Sequence, residues 1–376
     1  MERKRIYLSS PTMHGEEQAF VQSAFDTNWV APLGPNVDAF EKEMGDYIGG
    51  GYAAALSAGT AAIHLAVILA GVKEGDVVFA QSLTFAASVN PACYEKAKPV
   101  FIDSEPDTWN MDPVALEKAF EKYPHPAAVI AVHLYGTPSK IDRIRDICKK
   151  HQVPLIEDAA EALGSSFKGQ KLGTFGDYGI LSFNGNKIIT SSGGGMLLCS
   201  DEAKIKRARF LATQARDPAR YYQHSTIGYN YRMSNVVAGI GRGQLLHLEE
   251  HKARKNEIYR QYKEAFADIE AITMNPMNPD GDANNWLSCM TTAPDCSVTP
   301  DQVMDALAEY NIETRPIWKP MHLQPVFADC DFIQVKEGRS VSEDIFNRGV
   351  CLPSDIKNTP EDMKLIISLI RKVFEK

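Results

Sequence analysis

A chain of 376 residues is long for a single hydrophobic core, so its length predicts two lobes or domains. The composition, 44% apolar and 23% charged, is that of a globular protein, and no apolar run approaches the roughly 20 residues of a membrane-spanning helix. A net charge of −8 disfavours nucleic acid as a partner.

The N-terminus and the cysteines favour a cytoplasmic protein. Residues Met1–Tyr7 are basic but no apolar core follows them, so we expect no signal peptide. The seven cysteines include no CxxC pair, and most of them lie within apolar runs. This pattern is typical of free, buried thiols in a reducing compartment.

From residue 52 to about residue 215, short apolar runs alternate with amphipathic stretches. The predicted strands are Tyr52–Leu56, Val77–Ala80, Pro99–Asp103, Ala127–His133, Val153–Glu157, Tyr178–Phe183 and Gly195–Cys199. The predicted helices between the earlier strands are Ala61–Ala70, Pro113–Lys122 and Lys140–His151. Such alternation predicts an α/β fold with a mostly parallel sheet covered by helices on both faces. Ligands of such sheets bind at the carboxyl ends of the strands.

After about residue 240 the pattern changes to that of a smaller α+β lobe. Leu245–Ile269 reads as one long charged helix, and Trp286–Thr292 reads as a strand. Two further helices are predicted over Pro300–Tyr310 and Pro360–Phe374, the second with Thr359 as its N-cap. We therefore predict a large domain over residues 1–244, which includes an N-terminal arm, and a small domain over residues 245–376.

A lysine and an aspartate stand out as candidate catalytic residues. Lys187 lies in the small, polar stretch LSFNGNKIITSSGGGM, where a lysine can lose its proton and act as an amine nucleophile. Asp158 ends a strand that is predicted to be buried, where a carboxylate can pair with a protonated ring nitrogen. Together they predict a Schiff-base site for pyridoxal 5'-phosphate.

The phosphate of such a cofactor needs hydrogen-bond donors. Ser57-Ala58-Gly59-Thr60 ends a strand and begins a helix, whose free N–H groups bind anions. Ser182 and Thr60 can add hydroxyl donors, and Phe85 is the aromatic residue that we expect over the ring. Taken singly, the turn is more often an ordinary helix start and Phe85 more often a core residue.

Several segments carry a resemblance to a known family. They are SAGTAAIHLA, SLTFAAS, VFID, IEDAAEALG, GTFGDYGILSFNGNKIITSSGGGM, GYNYRMSN and RPIWKPMH. Over nearly its whole length the chain resembles the DegT/DnrJ/StrS family of pyridoxal phosphate-dependent nucleotide-sugar aminotransferases. The resemblance implies the type I, or aspartate-aminotransferase, fold. Within the family it is strongest to the bacillosamine-type UDP-4-amino-sugar enzymes and to the EpsN-type exopolysaccharide enzymes.

The resemblance implies a role for each matching residue of the cofactor site. Lys187 matches the Schiff-base lysine that also moves the proton, and Asp158 matches the partner of the pyridinium nitrogen. Ser182, with Gly59 and Thr60, matches the phosphate-binding residues. Asn230 resembles a residue that reaches the phosphate from the neighbouring subunit, which implies a homodimer with shared active sites.

The implied contacts to the substrate are spread more widely. They are Asn28, Trp29, Val30, Ala31, Arg232, Arg315, Trp318 and His322. The two arginines would bind the nucleotide phosphates, although surface or interface salt bridges also explain them. Glu161 departs from the Gln or His of many relatives, so its contact with the cofactor ring and its charge stay open.

The resemblance implies a ping-pong transfer of an amino group from L-glutamate to C4 of a nucleotide-linked 4-keto-6-deoxy sugar. UDP-2-acetamido-2,6-dideoxy-4-keto-glucose is the first expectation for that sugar. A dTDP sugar and amination at C3 remain alternatives, as do a related sugar dehydratase and a non-catalytic regulator. Family dehydratases carry His where this chain has Lys187, which disfavours the dehydratase.

One motif has the spacing of a metal site. His247 to His251 reads HLEEH and fits the HxxEH spacing of some zinc proteases. It lies on a highly charged predicted helix with no third ligand near it in sequence. We therefore expect a solvated helix face and no metal site.

Overall fold

A computed structural model describes residues 3–375 of the chain. Its α-helices are α1 (Glu16–Asp26), α2 (Pro35–Tyr47), α3 (Gly59–Leu69), α4 (Asn90–Tyr94), α5 (Pro113–Lys122), α6 (Ile141–His151), α7 (Glu202–Ala212), α8 (Asn235–Leu245), α9 (Leu248–Ala265), α10 (Pro300–Ala308), α11 (Val341–Arg348) and α12 (Pro360–Phe374). Its strands are β1 (Tyr52–Leu56), β2 (Val77–Gln81), β3 (Lys98–Ile102), β4 (Ala128–Val132), β5 (Leu155–Asp158), β6 (Ser166–Phe167), β7 (Gln170–Lys171), β8 (Tyr178–Ser182), β9 (Gly195–Cys199), β10 (Ile272–Met274), β11 (Gly281–Asp282), β12 (Ser288–Thr292), β13 (Arg315–Pro316), β14 (Phe332–Ile333) and β15 (Gly349–Leu352). Single 3₁₀ turns span Ala86–Ser88, Leu134–Gly136, Met321–Leu323 and Pro325–Phe327.

The central sheet has eight strands in the order β1-β9-β8-β5-β4-β2-β3-β14. Five neighbouring pairs are parallel, and β9 runs antiparallel to both β8 and β1. The predicted mostly parallel α/β sheet is therefore confirmed. In register, Asp158 at the end of β5 lies beside Val132 of β4 and Ile180 of β8.

Alternate residues of the central strands enter two hydrophobic clusters, one on each face of the sheet. On β2, Phe79 packs into the cluster that also contains Phe40 of α2. Val78 and Ala80 pack into the other cluster, with Leu65 of α3. This period of two along a strand is the pattern of a sheet that is buried on both faces.

A second, antiparallel sheet in the order β10-β12-β15-β13 forms the centre of the C-terminal part. It shares a third hydrophobic cluster with α9, α10 and α12, and Thr359 caps α12 in a reciprocal capping box, as predicted. Strand β14 is also C-terminal in sequence but joins the edge of the central sheet beside β3. The proposed domain boundary between residues 244 and 245 lies at the end of α8.

Two of the helices predicted in the C-terminal part are shorter in the structure, and other helices were missed; the helix predicted over Pro300–Tyr310 ends at Ala308. The helix predicted over Leu245–Ile269 is shorter, Leu248–Ala265, because the chain turns at Leu246 and His247 between α8 and α9. The long helices α1 and α2, before the first strand, were not predicted. None of the helices within residues 3–375 is both long and apolar enough to cross a membrane.

Candidate functional site

A cavity of about 310 Å³ opens at the carboxyl ends of the central parallel strands. The residues that line it are Ser57, Ala58, Gly59, Thr60, Ile63, Thr84, Phe85, Ala87, Ser88, Val132, Asp158, Ala160, Glu161, Ser182, Asn184, Asn186, Lys187, Gly193, Gly194, Trp286 and Trp318. Eight predicted cofactor residues, from Ser57 to Lys187, and the predicted substrate residue Trp318 thus surround one space.

The start of α3 forms one wall of the cavity. Its N-cap, Ala58, makes no side-chain capping hydrogen bond, so the first N–H groups of α3 are free to bind an anion. Gly59 allows the chain to pass close to β8, since a Cβ there would lie 3.1 Å from Ser182 Cβ. A Cβ on Gly195 would lie 2.3 Å from the backbone nitrogen of Gly59, so this close packing requires glycine at position 195.

Asp158 lies at the floor of the cavity with only 4% of its surface exposed. Its Oδ2 accepts a hydrogen bond of 2.6 Å from Ser88 Oγ, and its Oδ1 accepts one of 3.1 Å from the Ala160 N–H. Ser88 Oγ lies 2.7 Å from Thr84 Oγ1, so a short hydroxyl chain orients the carboxylate. A buried carboxylate held in this way can pair with a cationic ring nitrogen of a ligand.

Lys187 enters the same cavity from the loop between β8 and β9. Its Nζ lies 4.1 Å from the centroid of the Trp286 ring and 3.7 Å from Glu161 Oε1. Trp286 Nε1 donates a hydrogen bond of 2.6 Å to the Asn186 carbonyl, which fixes the indole to the loop that carries the lysine. The lysine amine is thus held between an aromatic face and a carboxyl group.

Glu161 is buried beside Lys187, and its Oε2 accepts a hydrogen bond of 2.7 Å from the Tyr135 N–H. Burial raises the pKa of this carboxyl group above its ordinary value of 4.5, although the charge of Lys187 and the Tyr135 N–H oppose the shift. The neutral, hydrogen-bond-donating form of Glu161 is therefore favoured relative to an exposed glutamate.

Aromatic residues form the outer wall. Phe85 is half exposed, and its ring centroid lies 5.2 Å from that of Trp318. Trp318 Nε1 is a buried donor that makes no well-formed hydrogen bond among the described residues, although its N–H faces the Glu161 carboxyl group and opposes the rise in the pKa of that group. Trp318 and Trp286 also line a neighbouring cavity of about 190 Å³, which contains Arg315.

Other predicted substrate residues lie outside the main cavity. Arg315 is mostly exposed and forms an ion pair of 2.6 Å with Glu313. Arg232 Nη1 binds Glu41 at 2.7 Å and the Ala55 carbonyl at 3.1 Å, so its guanidinium group is used within the fold. His322 Nδ1 lies 2.6 Å from Ser82 Oγ.

Residues Asn28–Ala31 follow α1, and the side chains of Trp29 and Val30 are exposed. Asn230 is exposed and forms an isolated antiparallel bridge with Thr213. Within one chain, none of these residues lines the main cavity.

Ser88, Trp286 and Tyr135 are among the residues that shape the site and were not singled out from the sequence. Ser88 lies in the SLTFAAS segment, and its contact with Asp158 arises because the 3₁₀ turn Ala86–Ser88 brings it there. Trp286 and Tyr135 come from distant parts of the chain, so no local pattern could have placed them beside Lys187 and Glu161.

Known proteins are similar to this chain over almost its whole length. Residues 11–371 match the model of the DegT/DnrJ/EryC1/StrS aminotransferase family. The chain is 51% identical over 375 residues to EpsN of Bacillus subtilis (strain 168), a protein assigned by name to the pyridoxal phosphate-dependent aminotransferases; the match covers 99% of this chain and 96% of that protein. It is 35% identical over 370 residues to GDP-perosamine synthase of Caulobacter vibrioides, with 98% of each chain covered. A crystal structure of a DegT DnrJ EryC1 StrS aminotransferase from Brucella abortus is similar with a TM-score of 0.88 at 27% identity, over 96% of each chain.

Proposed function

The chain belongs to the DegT/DnrJ/EryC1/StrS aminotransferase family, and from that membership we propose that it moves an amino group from L-glutamate to the C4 keto carbon of a nucleotide-linked 6-deoxy sugar. The protein is a sugar aminotransferase, and its cofactor is pyridoxal 5'-phosphate. The observation that carries the proposal is the convergence of Lys187, Asp158 and the N-terminus of α3 on one cavity.

The residues present fit this cofactor. The uncapped start of α3, with Ser182 beside Gly59, suits a phosphate group. The hydrogen-bonded carboxylate of Asp158 suits a protonated ring nitrogen, and Lys187 supplies the amine for the aldehyde. The indole N–H of Trp318 adds a buried donor to the same wall, beside Glu161.

The cofactor supplies an electron sink for the negative charge that forms when the donor loses its Cα proton. Asp158 would hold the proton on the ring nitrogen, which keeps that sink effective. Lys187 Nζ would accept the Cα proton of glutamate and return a proton to the sugar in the second half of the reaction. Trp286 and Glu161 flank this amine and limit the positions that it can take.

UDP-2-acetamido-2,6-dideoxy-4-keto-glucose is the proposed acceptor, on the ground that the sequence motifs resemble those of the bacillosamine-type enzymes. A GDP-linked keto sugar is the second candidate, since a relative of 35% identity carries the name GDP-perosamine synthase. Both candidates place the same demand on the cofactor site and differ only in what the outer wall must bind.

We also propose that the enzyme acts as a homodimer in which Asn230 reaches the cofactor phosphate of the neighbouring subunit. Supporting this, the segment before Asn230 exposes three large apolar side chains, Tyr221 at 68%, Tyr222 at 79% and Ile227 at 83%. Apolar groups exposed so close together are typical of a surface that a partner covers.

The test is a panel assay with purified enzyme, pyridoxal 5'-phosphate and L-glutamate. UDP-, GDP- and dTDP-linked 4-keto and 3-keto sugars are compared by the rate of 2-oxoglutarate release and by mass and NMR analysis of the sugar product. We expect the highest kcat/KM with the UDP 4-keto sugar and an amine on C4. Amination at C3 only, or no turnover with any sugar, would overturn the proposal.

A further inference from the structure

Three histidines meet near the start of α9, and none of them lines the cofactor cavity. His247 and His251 belong to the HLEEH motif, and His14 comes from the segment before α1. His14 Nε2 lies 2.7 Å from His251 Nε2, and the rings of His14 and His247 stack with their centroids 3.7 Å apart. No third ligand lies near the motif in sequence, but the fold brings His14 there as a candidate.

His251 is set up to offer one nitrogen lone pair. Its ring is buried, with 2% exposed, and its Nδ1 donates a hydrogen bond of 2.7 Å to the Ile188 carbonyl. A carbonyl oxygen can only accept, so the neutral ring carries its proton on Nδ1 and its lone pair on Nε2. A histidine metal ligand usually has this arrangement, with its second nitrogen bound to a carbonyl or carboxylate.

The segment that carries His14 is held in place by buried groups. The carboxylate of Glu17 accepts hydrogen bonds from the backbone N–H groups of His14 and Gly15, the latter at 2.8 Å. Gln244 of α8 binds the Thr12 carbonyl and Glu17 Oε1, each at 2.6 Å. His14 is therefore positioned independently of its contact with the other two rings.

A carboxylate completes the group. Glu250 lies one turn from His247, and one ligand atom each from His14, His247 and Glu250 lie within 4.8 Å of one another. His251 is outside this group of three and adjoins it through its 2.7 Å contact with His14. Glu250 Oε2 is 3.1 Å from His247 Nδ1, and Glu16 Oε2 is 3.2 Å from His247 Nε2. The acidic groups give this cluster a negative field that attracts a cation.

We propose that His14, His247, His251 and Glu250 bind a divalent transition metal, with Zn²⁺ as the best match to three imidazoles and one carboxylate. Tetrahedral Zn²⁺ with bonds of about 2.0–2.1 Å keeps its ligand atoms about 3.3 Å apart. The contact between His14 and His251 must therefore lengthen and lose its shared proton, and the partly exposed His247 ring must turn out of its stack. The bound ion ties the N-terminal segment to α9 and, through the Ile188 carbonyl, to the loop of Lys187.

The experiment titrates Zn²⁺ into untagged, chelator-treated holoenzyme by calorimetry, and repeats it with Co²⁺, whose d–d bands report coordination. The variants are His14→Ala, His247→Gln and Glu250→Gln, and the control is His125→Ala, an exposed histidine between α5 and β4. We expect one site per chain, proton release on binding, and affinity reduced at least about tenfold in each variant but not in the control.

Glu250 is highly exposed, so Glu250→Gln should leave the fold unchanged. This variant therefore tests the metal site even if His14→Ala disturbs the N-terminal segment. Equal affinity in wild type and in Glu250→Gln and His247→Gln would assign the metal to thiols or other surface groups and overturn the proposal. If neither the wild type nor any variant binds the metal, the proposal is also overturned. The three histidines would then be joined only by hydrogen bonding and ring stacking.

Discussion

Ser88 Oγ donates a hydrogen bond of 2.6 Å to Asp158 Oδ2, and Thr84 Oγ1, from the loop just before the turn of Ser88, lies 2.7 Å from Ser88 Oγ. A hydrogen bond to a buried charged group is worth about 1.5–3 kcal/mol. Ser88 therefore acts as a positioning residue for the carboxylate that faces the cofactor ring.

Ser88→Ala is expected to lower kcat/KM by about 10- to 100-fold, because Asp158 loses the donor that fixes its orientation. Steady-state kinetics with saturating cofactor measures the change. Ser139→Ala is the matched control, since Ser139 is equally buried and its Oγ has no hydrogen-bond partner among the described residues. Equal losses in the two variants would contradict a specific role for Ser88.

Lys187→Ala is expected to abolish amino transfer and to leave the cofactor bound without a covalent link, because no other amine lines the cavity among residues 3–375. Borohydride reduction followed by mass spectrometry reports the covalent link, and 2-oxoglutarate release reports turnover. Lys168→Ala, which removes an exposed lysine far from the cavity, should keep both. Substantial glutamate-dependent transfer by Lys187→Ala would contradict the mechanism.

Site residues could be predicted from the sequence where the signal is local, and could not be predicted where two residues far apart in sequence make contact. Asp158 and the turn at Gly59 follow strands whose apolar runs are easily recognised, and both lie at the predicted edge of the sheet. Trp286 and Lys187 are in contact although about a hundred residues separate them in sequence, so no local sequence pattern predicts this contact. His14 and His251 are also far apart in sequence and in contact in the fold. The sequence alone leads us to expect a solvated helix face at the HLEEH motif.

Glu161→Gln is expected to change how stability depends on pH in the cofactor-free enzyme. Burial raises the pKa of Glu161 above 4.5, so the folded chain holds this proton more tightly than the unfolded chain. The resulting stability is fully present below about pH 4.5 and is lost as the pH rises through the folded pKa. Glutamine cannot titrate, so the variant does not lose this stability. Its free energy of unfolding, relative to that of wild type, should therefore increase as the pH rises.

Urea unfolding of both proteins across that pH range measures this difference. Glu309→Gln, at an exposed position at the end of α10, serves as the control and should follow wild type. A difference between Glu161→Gln and wild type that does not vary with pH would show that the proton on Glu161 is bound equally in the folded and unfolded chains.

Arg232→Met tests whether Arg232 serves the fold or the substrate. Its guanidinium group is buried against Glu41, which also binds Arg209 Nη2 at 2.7 Å and the Ala55 N–H at 2.7 Å. Removing one partner of a buried ion pair costs a few kcal/mol, so we expect a lower melting temperature with an unchanged KM for the nucleotide sugar. A raised KM at unchanged stability would instead return Arg232 to the substrate site.

Mixing two impaired variants tests whether Asn230 acts across the dimer. If Lys187 of one chain works with Asn230 of its partner, a heterodimer of Asn230→Ala and Lys187→Ala chains contains one intact site and one doubly altered site. Random exchange of equal amounts after mild denaturation should then restore about a quarter of wild-type activity. If both residues act within one chain, every site in the mixture lacks one of them and activity stays at that of the separate variants. Wild type carried through the same denaturation and refolding corrects for losses, and the activity of the Asn230→Ala homodimer sets the baseline.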